Sequence, residues 1–157
     1  MLESQNSQNY PMPSLVPELA VTDIEVSKAF WVDMLGFKIK FERVEEKFLY
    51  LTLEGADIML DQIREGVSWI TGQLAPPLGR GINLEITLSE IEPILQRLQA
   101  ADHKLWREPK EEWYRSGEVK VGVREFLVQD PDGYLLRFAE ELGEVALDEL
   151  ITIEKED

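Results

Sequence analysis

The chain of 157 residues contains no cysteine and a single histidine, His103. The absence of cysteine excludes disulfides, thiolate nucleophiles and cysteine-based metal sites, and it leaves the redox compartment undetermined. A Ser-His-Asp triad would have to use His103, which follows Asp102 just after a predicted helix. We interpret His103 as an exposed turn residue, so the sequence favours neither thiol chemistry nor a triad.

Long apolar runs and positive charge are also scarce. No apolar run approaches the ~20 residues of a membrane-spanning helix, and the N-terminus lacks a basic start followed by an apolar stretch, so we expect neither a membrane span nor a signal peptide. Lys and Arg number 16 against 31 Asp and Glu, and the formal net charge of −15 disfavours nucleic acid and anionic lipid as partners. We expect a soluble, cytoplasmic protein. Its acidity serves solubility or attracts a cationic ligand, depending on where the carboxylates point.

An internal repeat is the main positive feature. Phe48 and Gly55 in the first half correspond to Phe126 and Gly133 in the second, each pair separated by 78 positions (126 − 48 and 133 − 55). Around these pairs a strand, an amphipathic helix and three further strands recur, which predicts two βαβββ modules that share a buried surface. With 44% hydrophobic residues, the chain is long enough for one domain of the α+β class.

The predicted organisation follows apolar alternation, a turn at 130–133 and the helix-capping residues Thr22 and Asp23. In order, it consists of a flexible lead-in at 1–13, the first module at 14–64, a connector at 65–80, the second module at 81–140 and an acidic C-terminal extension at 141–157. Because a solvated linker seldom carries a tryptophan, Trp69 and Ile70 predict that the connector covers part of the core or a pocket. Within the second module, we expect residues 110–117 to form an irregular aromatic loop.

Four short stretches carry a family resemblance. They read VTD at 21–23, AFWVDMLGF at 29–37, REF at 124–126 and DPDGY at 130–134. With them the chain resembles the vicinal oxygen chelate superfamily of glyoxalases, bleomycin resistance proteins and dioxygenases, and more narrowly the bleomycin resistance branch. The resemblance covers roughly residues 14 to 140. It implies two βαβββ modules that form a cupped mixed sheet around a cavity, often in a homodimer, and it leaves open whether the modules pair within one chain or between two.

The resemblance also implies where a metal would bind. The metal-dependent enzymes of the superfamily place four ligands, His or Glu, on strand positions that face the cavity, and these positions correspond here to Val16, Met59, Asn83 and Arg137. None of the four is a histidine or a carboxylate, and an arginine repels a cation. We therefore expect no metal and no other cofactor.

Three carboxylates are predicted to share the cavity face. Because side chains alternate along a strand, the apolar residues at 19 and 21 point to the core, and Glu18 points to the opposite face. The same argument places Asp61 and Glu85 there. They would repel one another unless they are solvated, paired with Arg137 or neutralised by a ligand cation. The sequence leaves these readings open, together with a metal bound by the carboxylates at shifted positions.

Tryptophans supply the other half of the predicted binding surface. Trp69, Trp106 and Trp113 lie in or beside segments that connect strands, where they either anchor a loop or contact a ligand. Trp31, on the first helix, is read as a packing or interface residue. The predicted ligand-binding residues are Glu18, Met59, Asp61, Trp69, Asn83, Glu85, Trp106, Trp113 and Arg137.

Together these observations favour a non-enzymatic protein that binds and sequesters a bulky cationic or aromatic small molecule of the bleomycin type, as a homodimer. The alternative is a glyoxalase- or dioxygenase-like enzyme, a lyase or an oxidoreductase, whose metal ligands are displaced. An interaction module that has lost its ligand is the third reading.

Overall fold

The computed structural model of the protein describes residues 12–66 and 69–147. Most of the predicted lead-in and the part of the C-terminal extension from residue 148 onward lie outside the described residues. Within the described ranges the elements are, in chain order, β1 (Glu18–Val21), α1 (Ile24–Lys28), a π-helical segment (Ala29–Met34), β2 (Lys38–Arg43), β3 (Phe48–Leu53), β4 (Ala56–Gln62), β5 (Asn83–Leu88), α2 (Glu92–Ala100), β6 (Arg107–Ser116), β7 (Val119–Gln129) and β8 (Leu135–Ala146).

Each half of the described chain forms one four-stranded sheet with the same topology. In the first sheet the strand order is β1-β4-β3-β2, with β1 parallel to β4 and the other pairs antiparallel. The second sheet repeats this as β5-β8-β7-β6. Gly55 and Gly133, with φ of 90° and 98°, both stand in the turn between the third and fourth strands of their module. The predicted α+β fold of two repeated modules is confirmed.

The helical part of the first module is closed at both ends by specific contacts. The carboxylate of Asp23 caps α1, as the sequence predicts. At the other end, the guanidinium of Arg97 from α2 donates to the carbonyl oxygens of Met34 and Leu35. Gly36 has a φ of 85°, and a Cβ there would lie 2.8 Å from Arg97 Nη2. Glycine therefore provides both the conformation and the space for a contact that joins the helices of the two modules.

One hydrophobic core is shared by both modules, because the strands turn alternate side chains towards the helices. Its members come from the inner faces of both sheets and from the helices between them; they include Leu19, Val21, Phe30, Leu51, Leu60, Ile86, Ile94, Leu98, Phe126, Leu136 and Phe138. This shared core is the buried surface that the repeat predicts.

Trp31 belongs to this core and is not an interface residue. It is fully buried, and its ring makes edge contacts with those of Phe30 and Phe37. Its Nε1 donates to Oδ2 of Asp130, at 3.3 Å. Of the two interpretations of Trp31, the packing residue is confirmed and the interface residue is wrong, because the π-helical segment directs the ring towards the second module.

The second sheet extends further than the sequence predicts. Of the predicted loop at 110–117, residues 110–116 instead form most of β6, and β8 continues to Ala146, past the predicted module end at 140. The β6 sequence has no apolar alternation, so its strand character depends on its pairing with β7. Gly122 of β7 leaves room for the ring of Trp113, since a Cβ at that position would lie 2.6 Å from the ring.

The connector contacts the core through its C-terminal end. Leu78 is buried, and its backbone N–H donates to the carbonyl oxygen of Asp132, at 2.8 Å. Trp69, by contrast, is 88% exposed. The connector therefore does cover part of the core, as predicted, but residues 77 and 78 do so, against the turn at 130–133, and Trp69 does not. In the described part of the chain, no helix is long and apolar enough to cross a membrane.

Candidate functional site

The face of the first sheet that points away from the core carries three of the predicted site residues. Glu18 of β1 is in register with Met59 of β4, and Asp61 lies two residues further along β4. Met59 is half-buried, Asp61 is buried, and Glu18 is exposed. Strand alternation therefore places these side chains as the sequence predicts, with the apolar neighbours on the opposite face.

The two carboxylates of this face differ in their surroundings. Nη2 of Arg64 donates to Oδ1 of Asp61, at 3.0 Å. Glu18 has no hydrogen-bond or ion-pair partner among the described residues. Partial burial, and next the nearby Asp61 carboxylate, raise the pKa of Glu18, whereas Arg43 acts in the opposite direction. Glu18 is thus a carboxylate that a ligand cation would stabilise in its charged form.

A stack of three aromatic rings occupies the same face beside these carboxylates. Phe41 of β2 is in register with Tyr50 of β3, which is in register with Met59. The ring of Phe41 lies 5.0 Å from that of Tyr50 and 6.0 Å from that of Phe48, with interplanar angles of 26° in both pairs. The sequence interpretation missed these rings. The alternation of Phe48 and Tyr50 with core leucines is the signal that could have found them.

Two cations cover parts of the aromatic stack. The guanidinium carbon of Arg43 lies 4.0 Å from the centre of the Phe48 ring, and Nζ of Lys40 lies 5.1 Å from that of Tyr50. Phe48 and Tyr50 are buried, whereas Phe41 is 43% exposed. Phe41 is therefore the ring of the stack that solvent, or a ligand, can reach.

The hydroxyl of Tyr50 is anchored at the edge of this face. It donates to Oδ2 of Asp57, at 2.8 Å, and Nζ of Lys40 donates to the same oxygen, at 2.6 Å. Burial, together with the Asp57 carboxylate, raises the pKa of Tyr50 to about 12. Burial opposes ionisation of Asp57, but the hydrogen bonds from Lys40, Thr52 and Tyr50 outweigh it and lower the pKa of Asp57. This cluster is satisfied internally and holds the Tyr50 ring in place.

The second sheet presents a different arrangement on its corresponding face. Arg137 of β8 donates to the carboxylate of Glu85 on β5, and its Nη1 lies 3.6 Å from Oε2 of Glu125. Arg107 of β6 donates to the other oxygen of Glu125. The four side chains form a row of alternating charge across the sheet, with Glu125 buried at its centre. Asn83, two residues before Glu85, is exposed.

The predicted site residues therefore fall into separate groups. The first-sheet group contains Glu18, Met59 and Asp61, and the second-sheet group contains Asn83, Glu85 and Arg137. Among the described residues, no hydrogen bond or ion pair joins the two groups. Glu85 has Arg137 as its partner, as one of the open readings proposed, whereas Glu18 does not.

The three predicted tryptophans do not form a common cluster. Trp69 lies in the connector and is 88% exposed, and Trp106 immediately precedes β6 and is 59% exposed. Trp113 is half-buried within β6, with its ring against Gly122. His103, expected to be exposed, is half-buried. Its Nε2 lies 3.2 Å from the carbonyl oxygen of Gln129, and its ring contacts that of Phe30.

The residues at the implied metal positions do not fit a divalent cation. Val16 and Met59 offer no oxygen or nitrogen ligand in their side chains, and the guanidinium of Arg137 already binds Glu85. Among the described residues, no group of three or more His, Asp or Glu side chains has an arrangement that could hold a metal ion. We derive no chemistry that passes through a metal.

A surface cavity of about 440 Å³ lies elsewhere, between α1 and the β2–β3 turn. Three of its charged groups already have partners: Asp23 caps α1, and Lys28 pairs with Glu42 at 2.9 Å. We therefore regard the open face of the first sheet as the candidate site.

Comparison with known proteins identifies the family of the chain. Residues 14–138 match the sequence model of the glyoxalase/bleomycin resistance protein/dioxygenase superfamily. A solved member of that superfamily from Vibrio splendidus 12B01 is 39% identical, over 80% of this chain and 95% of its own, with a TM-score of 0.36. The likeness to this protein is one of sequence.

Other solved structures resemble the fold. TioX from Micromonospora sp. ML1 is 20% identical over 83% of this chain and 100% of its own, with a TM-score of 0.62. A glyoxalase/bleomycin resistance protein/dioxygenase from Alicyclobacillus acidocaldarius is 13% identical over 88% and 96%, with a TM-score of 0.57. At these identities the likeness concerns the fold alone. Among curated proteins, no match to the chain is found.

Proposed function

The chain belongs to the glyoxalase/bleomycin resistance protein/dioxygenase superfamily, and from this premise we propose that it is a non-enzymatic protein that binds and sequesters a bulky, cationic, aromatic small molecule of the bleomycin type. We propose no chemical reaction for the protein and expect it to act in the cytoplasm.

The observation that carries this proposal is the unpaired carboxylate of Glu18. It shares a sheet face with the buried Asp61 carboxylate, and it has no ion-pair partner among the described residues. Partial burial, and next the Asp61 carboxylate, raise its pKa. A charge in this setting is stabilised when a cation approaches, because the cation offsets both the desolvation of Glu18 and the repulsion by Asp61. A ligand ammonium or guanidinium group is the chemistry that fits.

The neighbours of Glu18 are the residues that would contact the aromatic part of the proposed ligand. Met59 lies beside it, and the ring stack with Phe41 at its open end follows on β3 and β2. Thioether and aromatic groups favour flat apolar surfaces. We therefore assign the first sheet, and not the charge-paired second sheet, as the part of the protein that selects the ligand.

We also propose that the functional form is a homodimer. The two described sheets have four edge strands, and apolar or aromatic side chains lie exposed on or near two of them: Phe41 and Val44 at β2, and Trp106 and Tyr114 at β6. Uncovered edges and exposed apolar groups are reduced when a second copy packs against them. A second copy would also narrow the open face into a pocket.

The test of the proposed function is a binding screen with cationic glycopeptide antibiotics and polyamines, measured by thermal shift and calorimetry. We expect at least one aromatic cation to raise the melting temperature, since a ligand that binds only the folded state stabilises it. Glu18→Gln should weaken the binding of that cation by about 1 to 3 kcal/mol, the range for a hydrogen bond to a charged group. Glu118→Gln, which removes the same charge at the tip of the β6–β7 hairpin, is the matched control and should bind as the parent does.

The pH dependence has a defined sign. Because the pKa of Glu18 is raised, the side chain becomes protonated at a higher pH than an ordinary glutamate does. The affinity for a cation should therefore fall as the pH is lowered through this range. Glu18→Gln should remove this dependence. If no cation in the screen binds, or if Glu18→Gln and Glu118→Gln bind equally well, the proposed function is contradicted.

A further inference from the structure

A row of side chains on the first-sheet face crosses all four strands and has a carboxylate at one end and an aromatic ring at the other. The row is defined by strand register: Glu18 pairs with Met59, Met59 with Tyr50, and Tyr50 with Phe41. Paired residues in a sheet point to the same face, so the four side chains stand side by side. The stacking of Phe41 on Tyr50 supports this for one end of the row.

A second observation places Glu18, at the other end of the row, on the same face. Asp61, two residues after Met59, is in register with Phe48, and the Arg43 guanidinium covers the Phe48 ring that stacks with Phe41. The charge of Glu18 and the aromatic stack therefore share one surface. The row begins with an unpaired carboxylate and ends with an exposed ring.

The two residues in the middle of the row, Tyr50 and Met59, offer a ligand neither an open ring face nor a charge. Tyr50 is 1% exposed, with Phe41 against its ring and Asp57 bonded to its hydroxyl. Met59 is half-buried and has no charge. A planar ligand ring can thus stack only at Phe41, whose outer side is open. Neighbouring strands are about 4.8 Å apart, so Glu18 and Phe41 are separated by three such steps, about 14 Å between their backbones.

From this row we propose that the ligand class is an extended amphipathic cation with its amine or guanidinium group at Glu18 and a planar aromatic ring, about 14 Å away, stacked on Phe41. The inference rests on the proposed function and adds the distance between the two groups. Phe41 is then a specificity-determining residue, because its position fixes the length of ligand that gains from both ends.

The test uses naphthalene compounds that carry a terminal primary amine on spacers of one, two and three strand spacings, about 5, 10 and 14 Å. We expect the longest of the three to bind most tightly to the parent protein. Phe41→Leu should weaken it roughly threefold to tenfold, the measured range for an aromatic contact, and should abolish the length preference. Phe41→Trp should retain the preference, because it restores a planar ring.

Val26→Ala is the matched control, since Val26 is an exposed apolar residue of α1 that belongs neither to the row nor to the proposed dimer contacts. It should change neither affinity nor length preference. Thermal melts of all variants, together with light scattering, establish that they fold and associate as the parent does.

The outcomes separate the two proposals. If the amines bind, and lose affinity in Glu18→Gln, but show no length preference or no effect of Phe41→Leu, the inference is overturned and the proposed function stands. If Phe41→Leu weakens self-association and leaves amine affinity unchanged, the ring is a subunit contact and the inference is again overturned. If no amine binds and the antibiotic screen is also negative, both proposals fail.

Discussion

The indole N–H of Trp31 in the first module donates to the carboxylate of Asp130 in the second, with 3.3 Å between Nε1 and Oδ2. Both residues are buried. The next carboxylate along the chain, Asp132, accepts from the backbone N–H and the hydroxyl of Thr22, which lies at the end of β1. The turn that carries the two aspartates therefore holds the two modules together through hydrogen bonds as well as through the shared core.

This junction predicts a titration near neutral pH. Burial, with a smaller contribution from Asp132, raises the pKa of Asp130 from 3.8 to about 6, although hydrogen bonds from Tyr134 and Trp31 favour its charged form. Because the folded state then holds the proton more tightly than the unfolded state, the contribution of Asp130 to stability falls as the pH rises from about 4 to about 6. Carboxyl ¹³C NMR should show this titration.

Trp31→Phe tests the cause of the titration. Loss of the indole donor should raise the pKa of Asp130 further and cost about 1.5 to 3 kcal/mol, the range for a hydrogen bond to a charged group. Trp106→Phe, at an exposed tryptophan, is the control, and we expect it to change stability by less than about 0.5 kcal/mol. An unchanged Asp130 titration in Trp31→Phe would contradict the assigned role of the indole.

The two repeat-related glycines predict unequal costs of substitution. Gly55 and Gly133 have similar positive φ, but a Cβ at Gly55 would meet nothing within 4 Å, whereas one at Gly133 would lie 2.4 Å from Cβ of Pro77. Gly55→Ala should therefore cost about 1 to 2 kcal/mol, from backbone strain alone. Gly133→Ala should cost a further 1 to 3 kcal/mol or so, from overpacking against the connector. Urea unfolding of both variants measures the difference, and equal costs would show that the connector yields freely.

The charged row on the second sheet predicts that its two glutamates differ in importance. The Glu125 side chain is 7% exposed between Arg107 and Arg137, whereas that of Glu85 is 48% exposed. Glu125→Gln should cost about 3 kcal/mol or more, because it leaves two guanidinium groups without their buried counter-charge. Glu85→Gln should cost less than about 1 kcal/mol, as expected for an exposed pair. Denaturant unfolding at neutral pH tests both, and the reverse order would contradict this description of the row.

Metal content provides a further prediction. With Val16, Met59, Asn83 and Arg137 at the implied ligand positions, we expect elemental analysis of protein purified without chelator to find no tightly bound zinc, nickel, iron or manganese. Addition of these ions should not raise the melting temperature. Near-stoichiometric metal that survives dialysis would instead favour the enzyme with displaced ligands.

Self-association is the remaining prediction. Light scattering at micromolar concentrations should report the mass of a dimer, twice 18.1 kDa. Since Trp31 is buried, we expect Trp31→Phe to leave the association state unchanged, whereas a polar substitution at exposed Tyr114 is a direct test of the β6 edge. A monomer mass at all concentrations would contradict the proposed homodimer.

Local sequence patterns predicted the fold because they carry short-range information. Alternation along β1 and β4, the Asp23 cap and the turn at 130–133 each depend on residues close in sequence, and the 78-residue offset of Phe48 and Phe126 follows from the repeat itself. The β6 strand was missed for the opposite reason. Its residues do not alternate between apolar and polar, and its strand geometry comes from pairing with β7.

By itself, the sequence determined the two modules, their α+β class and the set of side chains that face away from the core, since strand period and turn chemistry decide these locally. Only the tertiary structure decided which of the equivalent carboxylates lacks a partner in the described part of the chain. Glu18 and Glu85 occupy equivalent positions in the repeat, but Glu85 meets Arg137 from a strand 52 residues away, whereas Glu18 meets the carboxylate of Asp61. Such pairing depends on residues from strands that are distant in sequence. A local sequence pattern does not show which of those residues will lie beside a given carboxylate.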